Sequence, residues 1–555
     1  MPNSSLRLSS MKLRQLVLLP LLIVVFAGDS RHCEGQSGNR ADLQLKLRTR
    51  TPIEPGSKNF HATVRSESWS PDATAIIVCD MWDLHHCKNA VIRVGQLAPT
   101  MEKLLNQARN RGVTVIHAPS SCVDFYKDHP ARKRAVGIPA AAKIPEDIGK
   151  WCAKIPSEDA GEYPIDQSDG GEDDDPEEHQ EWADELVEKG LDPRAPWTRQ
   201  TELLTIDSEK DFISDSGPEI WSILEHGNIK NVMLVGVHTN MCVLGRPFGL
   251  RQMAKNGKNV VLVRDMTDTM YNPAAKPYVS HFSGTDLIVE HIEKYVCATI
   301  SSDQIIGGQP FSFPADYRKH IAIVIAEDEY ETDKSLPEFA AKHLQKDFRV
   351  SLVFGSKVDR NDIPGLSVIG GADVLMLSVR RRTLPPDQLA LVREFESSGK
   401  PMIGIRTSSH AFSLRKGDPK VGLVQWPEFD AQVWGGNYSG HTKNDTTYRL
   451  IAPEKASRHP ILNGLNGGKS ILGHKSLYLT APLAESASIL LIGESEKEAS
   501  NPPVAWTNRR ANGGMSFYTS LGHLDDFNQE DVQMLLRNAI DWLVNTSNTN
   551  SASSR

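Results

Sequence analysis

Short runs rich in Val and Ile recur along the chain, and most are followed by a longer stretch with apolar residues at helical spacing. Residues 74–79, 113–118, 231–237 and 259–265 are such runs in the first half. Residues 320–326, 349–354, 372–378 and 401–405 repeat the rhythm in the second. A continuous apolar run of this length suits a strand buried on both faces, which is the condition of a parallel sheet. Strands alternating with helices therefore predict an α/β fold with doubly wound, mainly parallel sheets. The rhythm pauses over 301–317, which contains Ser, Gly and Pro. Two tandem domains follow, 71–300 and 318–545, within what 555 residues can hold.

Open sheets of this kind bind ligands outside the carboxyl ends of their strands. Asp80, His117, Cys242 and Asp265 fall at such ends. Cys242 follows the run 231–237 through Gly236, His238, Thr239 and Asn240, and a helical pattern covers about 243–255. A strand-to-helix turn brings unpaired N–H groups near the sulfur, and these stabilise a thiolate nucleophile. The alternative is a small buried core cysteine.

The ends and insertions differ in character. Arg7, Lys12 and Arg14 precede an apolar run over 16–26, and Val25 and Ala27 have the small-residue spacing of a cleavage site. Residues 1–27 are therefore expected to be a signal peptide of a periplasmic or secreted protein, with a membrane engaged only if the segment stays uncleaved. Residues 28–70 read as a polar tether and 546–555 as a disordered tail. An acidic insertion at about 158–188 reads as a solvated loop that shapes a pocket, with calcium binding as the alternative. The net charge of −8 gives no basic footprint for nucleic acid. Seven cysteines are spread thinly, so at least one is unpaired in an exported chain, and Cys242 is the candidate.

The first domain resembles the isochorismatase-like cysteine hydrolases, a family that includes nicotinamidases and other amidases. The resemblance rests on Asp80-Met81-Trp82-Asp83-Leu84, on Lys210-Asp211-Phe212-Ile213-Ser214, and on Gly236-Val237-His238-Thr239-Asn240-Met241-Cys242-Val243. It implies Cys242 as nucleophile, Asp80 as general base and Lys210 as the cation that orients Asp80. It also implies a cis peptide between Val237 and His238 and an oxyanion hole of backbone N–H groups. Trp82, His117, Val237 and His238 are the expected substrate or oxyanion contacts, with a structural role as the alternative for His117. The chain departs from the family at Trp82, where Gln is frequent, and at Asn240, where Asp is common. Where nicotinamidases carry an Asp-x-His metal motif, this chain has Ala118-Pro119-Ser120-Ser121-Cys122-Val123-Asp124. No metal or other cofactor is therefore expected.

The second domain is similar to ThuA-like (trehalose utilisation) domains, which share the flavodoxin-like fold of class I glutamine amidotransferases. The carrying residues are Gly404-Ile405-Arg406-Thr407-Ser408-Ser409-His410, Gly435-Gly436-Asn437-Tyr438-Ser439-Gly440-His441 and Phe517-Tyr518-Thr519-Ser520-Leu521-Gly522-His523. No cysteine lies beyond Cys297, so amidotransferase chemistry is excluded. His410, His441 and His523, with Asp525, are expected to converge on a carbohydrate or metal site, or to cap turns and helices. The combined expectation is a hydrolase acting on an amide or related C–N bond of a small molecule, with carbohydrate as a partner of the second domain. Homo-oligomers are implied by the first family. The alternatives are a carbohydrate-binding or carbohydrate-processing protein whose first domain is auxiliary, and a non-catalytic scaffold.

Overall fold

The first sheet is built around β3 (Thr74–Cys79), whose six residues are all buried. It pairs in parallel with β4 (Thr114–Ala118) on one side and β6 (Asn231–Val237) on the other. Alternate residues feed opposite faces, as the pleat requires. Ile77 and Cys79 pack with Ile220 and Leu224 on one face, while Ile76 and Val78 meet Leu97, Met101 and Leu104 of α1 (Lys88–Arg111) on the other. Beyond β6 lie β7 (Asn259–Asp268) and β8 (Ala298–Ile300), and beyond β4 lies the short β5 (Phe212–Ile213). This computed structural model describes residues 41–444, 446–465, 471–496 and 501–552. The expected signal peptide and the start of the expected tether lie outside them.

The rest of the expected tether is folded. β1 (Leu43–Pro52) and β2 (Phe60–Trp69) form an antiparallel hairpin, and β1 adds to the sheet edge beside β8. Leu43, Leu45 and Leu47 point into the core while the residues between them face outward. That period of two is a strand signal hidden in a polar stretch. The expected linker is also tied down. Phe313 joins the first domain's core, and the Asp265 carboxylate accepts from the N–H groups of Ser302 and Phe311 at 2.8 and 2.9 Å.

The acidic insertion is not a solvated loop. It contains a helix, Pro176–Glu188, capped by Asp175. Just before that cap, Asp174 reaches back to α1, which starts after Cys87 with no side-chain cap of its own. Its two carboxylate oxygens accept from the N–H groups of Lys88 and Asn89, each at 2.8 Å. Asp173 takes Arg93 of the same helix at 2.8 and 2.9 Å. The acids are thus spent on a helix N-terminus and a buried arginine rather than on water.

The second sheet has nine strands and is mixed. Its parallel part is β9 (His320–Ala326), β10 (Arg349–Phe354), β11 (Val374–Val379), β12 (Met402–Ile405) and the strand Met515–Thr519. Antiparallel strands extend it through Pro503–Arg509, Ala487–Glu494, Tyr448–Ile451 and Leu472–Gly473. The last helix runs Glu530–Ala552, past the expected start of a disordered tail at 546. The two sheets belong to one compact unit, joined by contacts such as Asn59 Nδ2 to the Asp333 carbonyl at 2.7 Å. Among the described residues no helix is long and apolar enough to cross a membrane, and the six described cysteines are free.

Asp174→Ala is expected to lower the unfolding free energy by about 1–2 kcal/mol, because two N–H groups of α1 lose their acceptor. Urea unfolding would show a lower midpoint at unchanged slope. Asp174→Asn keeps one acceptor oxygen and recovers part of the loss.

Candidate active site

The turn after β6 is made possible by Gly236, which sits at φ +108, where a Cβ would stand 2.0 Å from the Cys79 carbonyl oxygen. The next peptide, Val237–His238, is cis. A single π-helical turn, Thr239–Val243, carries Cys242. The His238 carbonyl closes it by accepting from Met241 and Val243 at 3.0 and 3.1 Å. Asn240 pairs with both backbone groups of Met270, accepting at 2.9 Å and donating at 2.8 Å. A carboxylate could only accept there, so the amide suits this position.

Asp80 ends β3 with φ 46 and is fully buried. Its Oδ1 accepts from the Ser120 N–H at 2.8 Å, and its Oδ2 from Arg246 Nε at 2.9 Å. Burial raises the Asp80 pKa; Arg246, Ser120 and the Cys242 thiol pull it back. Burial first, and then the facing Asp80 charge, push the Cys242 thiol up, with Arg246 opposing. Cys242 is therefore held as a thiol facing Asp80, not as the thiolate that a helix N-terminus alone would favour. The carboxylate is placed to take the thiol proton, and the guanidinium is placed to hold the carboxylate.

Lys210 is not part of this arrangement. Its side chain is 62% exposed and pairs only loosely, at 3.7 Å, with Asp207. The neighbouring Asp211 takes the inward position instead and binds Arg109 at 2.8 Å and His117 Nε2 at 3.0 Å. The cation beside Asp80 is Arg246. The sequence signal was its i+4 spacing from Cys242, which puts the two on one face of a helical turn. The expected continuous helix over 243–255 is interrupted there and resumes as Leu250–Lys255. Pro247 lacks an N–H and restricts the residue before it, which accounts for the break at Arg246.

The expected contact residues divide. Trp82 forms a fixed wall near Asp80, with Nε1 donating to the Ser120 carbonyl at 3.1 Å and its ring stacked on Trp197 at 4.5 Å. Both nitrogens of His117 are engaged, by Asp211 and by Gln200 at 2.8 Å, so His117 is built into the framework. Val237 is buried in the sheet core. His238 is buried, packs edge-on to His85 at 4.8 Å, and leaves Nε2 without a partner among the described residues. Burial lowers its pKa to about 3 against the pull of Asp268, so it is neutral. Beside it lies a buried network: Arg93 Nε to Asp268 at 2.7 Å, and His281 between Asp268 at 2.9 Å and Asp173 at 3.2 Å.

In the second domain, His410 and His441 line one cavity. His523 and Asp525 do not line it. His523 caps the helix Leu524–Phe527, accepting from the Asp525 N–H at 3.1 Å. The cap alternative is what the structure shows for that pair. Arg406 occupies the turn after β12 at φ 42 and is locked by the carbonyls of Ser520 and Ser476 at 2.7 and 3.2 Å.

Residues 367–543 match the ThuA family, described as trehalose utilisation, and form the ThuA domain. Solved structures that align with the chain include a ThuA-like protein from Bacteroides uniformis, at 15% identity over 43% of this chain and 96% of that one, with TM-score 0.32. They also include a cysteine hydrolase from Pseudomonas syringae pv. phaseolicola, at 18% identity over 44% of this chain and 95% of that one, with TM-score 0.26. A third is an isochorismatase family protein from Burkholderia thailandensis, at 15% identity over 42% of this chain and 94% of that one, with TM-score 0.23. No curated protein matches the chain.

The buried His281 imidazolium makes stability depend on pH. Burial alone would lower its pKa, but Asp268 and Asp173 outweigh burial and raise it to about 9. Its contribution is complete below the unfolded value of about 6.5 and is lost as pH rises through about 9. Wild type is expected to lose about 3 kcal/mol of unfolding free energy across that window, and His281→Gln markedly less. Urea titrations at pH 6, 8 and 9.5 measure the difference.

Proposed function

We propose that the first domain is a cysteine hydrolase cleaving an amide or related C–N bond of a small molecule. The observation that carries the reading is the Asp80–Cys242–Arg246 arrangement at the carboxyl ends of two adjacent parallel strands. Asp80 takes the thiol proton as the sulfur attacks the substrate carbonyl carbon. The same proton then passes to the leaving nitrogen, the C–N bond breaks, and a thioester remains on Cys242. Water, deprotonated by Asp80, cleaves the thioester and returns the thiol. Arg246 orients Asp80 and favours its ionised form before each proton uptake, the role expected of Lys210.

A cavity of about 620 Å³ supports a small-molecule substrate. It is lined by Asn240 and Met241, which precede Cys242, and by Trp151, whose ring lies 5.7 Å from the Arg246 guanidinium. Glu158 also lines it, held by Arg251 at 2.7 Å and His291 at 2.8 Å. Cys242 itself does not line this cavity; its neighbours Asn240 and Met241 do.

Incubation of the full chain with a panel of primary amides, followed by acid quench and peptide mass spectrometry, tests this. An acyl adduct is expected on Cys242, and Cys242→Ala should abolish both adduct and hydrolysis. Arg246→Met is expected to reduce kcat by about 100-fold, with partial rescue by Arg246→Lys. Lys210→Ala should leave kcat/KM within about twofold, as for an exposed residue outside the site. Hydrolysis that survives in Cys242→Ala would sink the mechanism. A loss in Lys210→Ala as large as in Arg246→Met would sink the assignment of the cation.

A further inference from the structure

The second domain carries a cavity of about 770 Å³ among the loops that follow β11 and β12. Three cations reach it from two separate segments: Arg381 just after β11, and Arg415 and Lys416 beyond β12. Among the described residues none of the three pairs with a carboxylate. The contrast is next door, where Arg380 is neutralised by Glu329 at 2.6 Å. Arg381 makes only a weak contact with the Ser413 carbonyl, at 3.5 Å. Burial lowers its pKa, Tyr438 opposes, and Arg415 and Arg380 lower it further, which is the signature of like charges held together. Gathering unpaired cations in a concave site is unfavourable until an anion arrives.

The same cavity is also lined by a polar group of a different kind. Asp430 lines it, is nine-tenths buried, and uses Oδ2 to accept from the Tyr438 N–H at 2.7 Å. Its Oδ1 has no partner among the described residues. Burial raises this carboxyl to about 7, with the Tyr438 N–H opposing. A buried carboxyl with one oxygen unpaired, on a residue that lines a cavity, calls for a hydroxyl or amine donor. The Tyr438 ring and the His410 imidazole line the same cavity, 4.5 Å apart between centroids. Burial first, and then Arg381, Arg380 and Arg415, lower His410 to about 2, so it is a neutral wall rather than another charge.

We propose that this cavity binds a small hydroxylated anion, a sugar acid or a sugar phosphate. Arg381, Arg415 and Lys416 hold the anionic group, and Asp430 accepts from the hydroxyls. The site is independent of Cys242 and stands whether or not the first domain is a hydrolase.

Isothermal titration of the full-length Cys242→Ala protein with glucuronate, glucose 6-phosphate, glucose and inorganic phosphate tests the proposal. At least one of the two sugar anions is expected to bind about tenfold or more tightly than glucose, and more tightly than inorganic phosphate. Whichever binds tighter identifies the anionic group. Binding should weaken with added salt. The double variant Arg381→Gln/Arg415→Gln should weaken it by about tenfold or more, and Asp430→Asn should weaken the sugar anion but not inorganic phosphate. If the double variant fails to fold, Lys416→Glu, at an exposed position, takes its place. Glucose binding as tightly as both anions, no binding of either anion, or unchanged affinity in the cation variants would each overturn the proposal.

Discussion

A fully buried aspartate charge sets the terms for the first domain. Removing Asp80 from water costs several kcal/mol unless other groups compensate. Three do: the Ser120 N–H, the Arg246 guanidinium and the Cys242 thiol. They come from two pieces of chain, the segments after β4 and β6. Ser120 comes from the turn after β4, Cys242 from the turn that Gly236 permits, and Arg246 from the break that Pro247 imposes. The carboxylate is therefore satisfied only when the segments after β4 and β6 are both in place. That coupling explains why the reactive groups stand at strand ends and not on a free loop. It also sets the chemistry, because the compensation that stabilises the carboxylate includes the proton it would remove.

A second buried electrostatic unit sits behind the first. Arg93 joins Asp268 at the end of β7 to Asp173 of the acidic insertion, and His281 bridges the same two acids. Counted by sequence, the insertion is a run of repelling carboxylates. In the fold, the members that matter are each matched to a cation or a helix end. His238, in the nucleophile turn, feels this network directly, since Asp268 and Arg93 both act on its pKa. The insertion thus supports the floor of the site through ion pairs, and its solvent-facing acids are incidental.

The fold class was legible because parallel strands buried on both faces leave uninterrupted apolar runs. Asp80 and Cys242 were legible for the related reason that such runs end at the edge where ligands bind. What sequence spacing does not encode is which way a side chain turns. Lys210 and Asp211 are adjacent, and only one of them could face inward; Arg109 and His117 selected the acid. Arg246 was overlooked because the expected partner lay upstream, although its helical spacing from Cys242 was in plain view. The hairpin was missed because its outward residues dilute the average, while Leu43, Leu45 and Leu47 carry the period. The cation-lined cavity had no local signal at all, since Arg381 and Arg415 are brought together only by the sheet.

The two domains use one backbone device for different ends. Asp80 has φ 46 directly after β3, and Arg406 has φ 42 directly after β12. Arg381 has φ 47 just beyond the end of β11. Non-glycine residues pay about 1–3 kcal/mol each for such a conformation, and persist there only when the surroundings hold them. At Asp80 the holding groups are the members of the proposed reaction. At Arg406 they are backbone carbonyls of Ser520 and Ser476 and the rings of Tyr330 and Tyr478, at 4.2 and 4.8 Å from the guanidinium. An arginine fixed this way offers no nucleophile, and it is buried behind the rings that hold it. The turn that would present a reactive side chain has been converted into a brace. The side chains around the brace that lack partners among the described residues are the cations Arg381, Arg415 and Lys416 and one oxygen of Asp430, and these are the groups on which the proposed site rests.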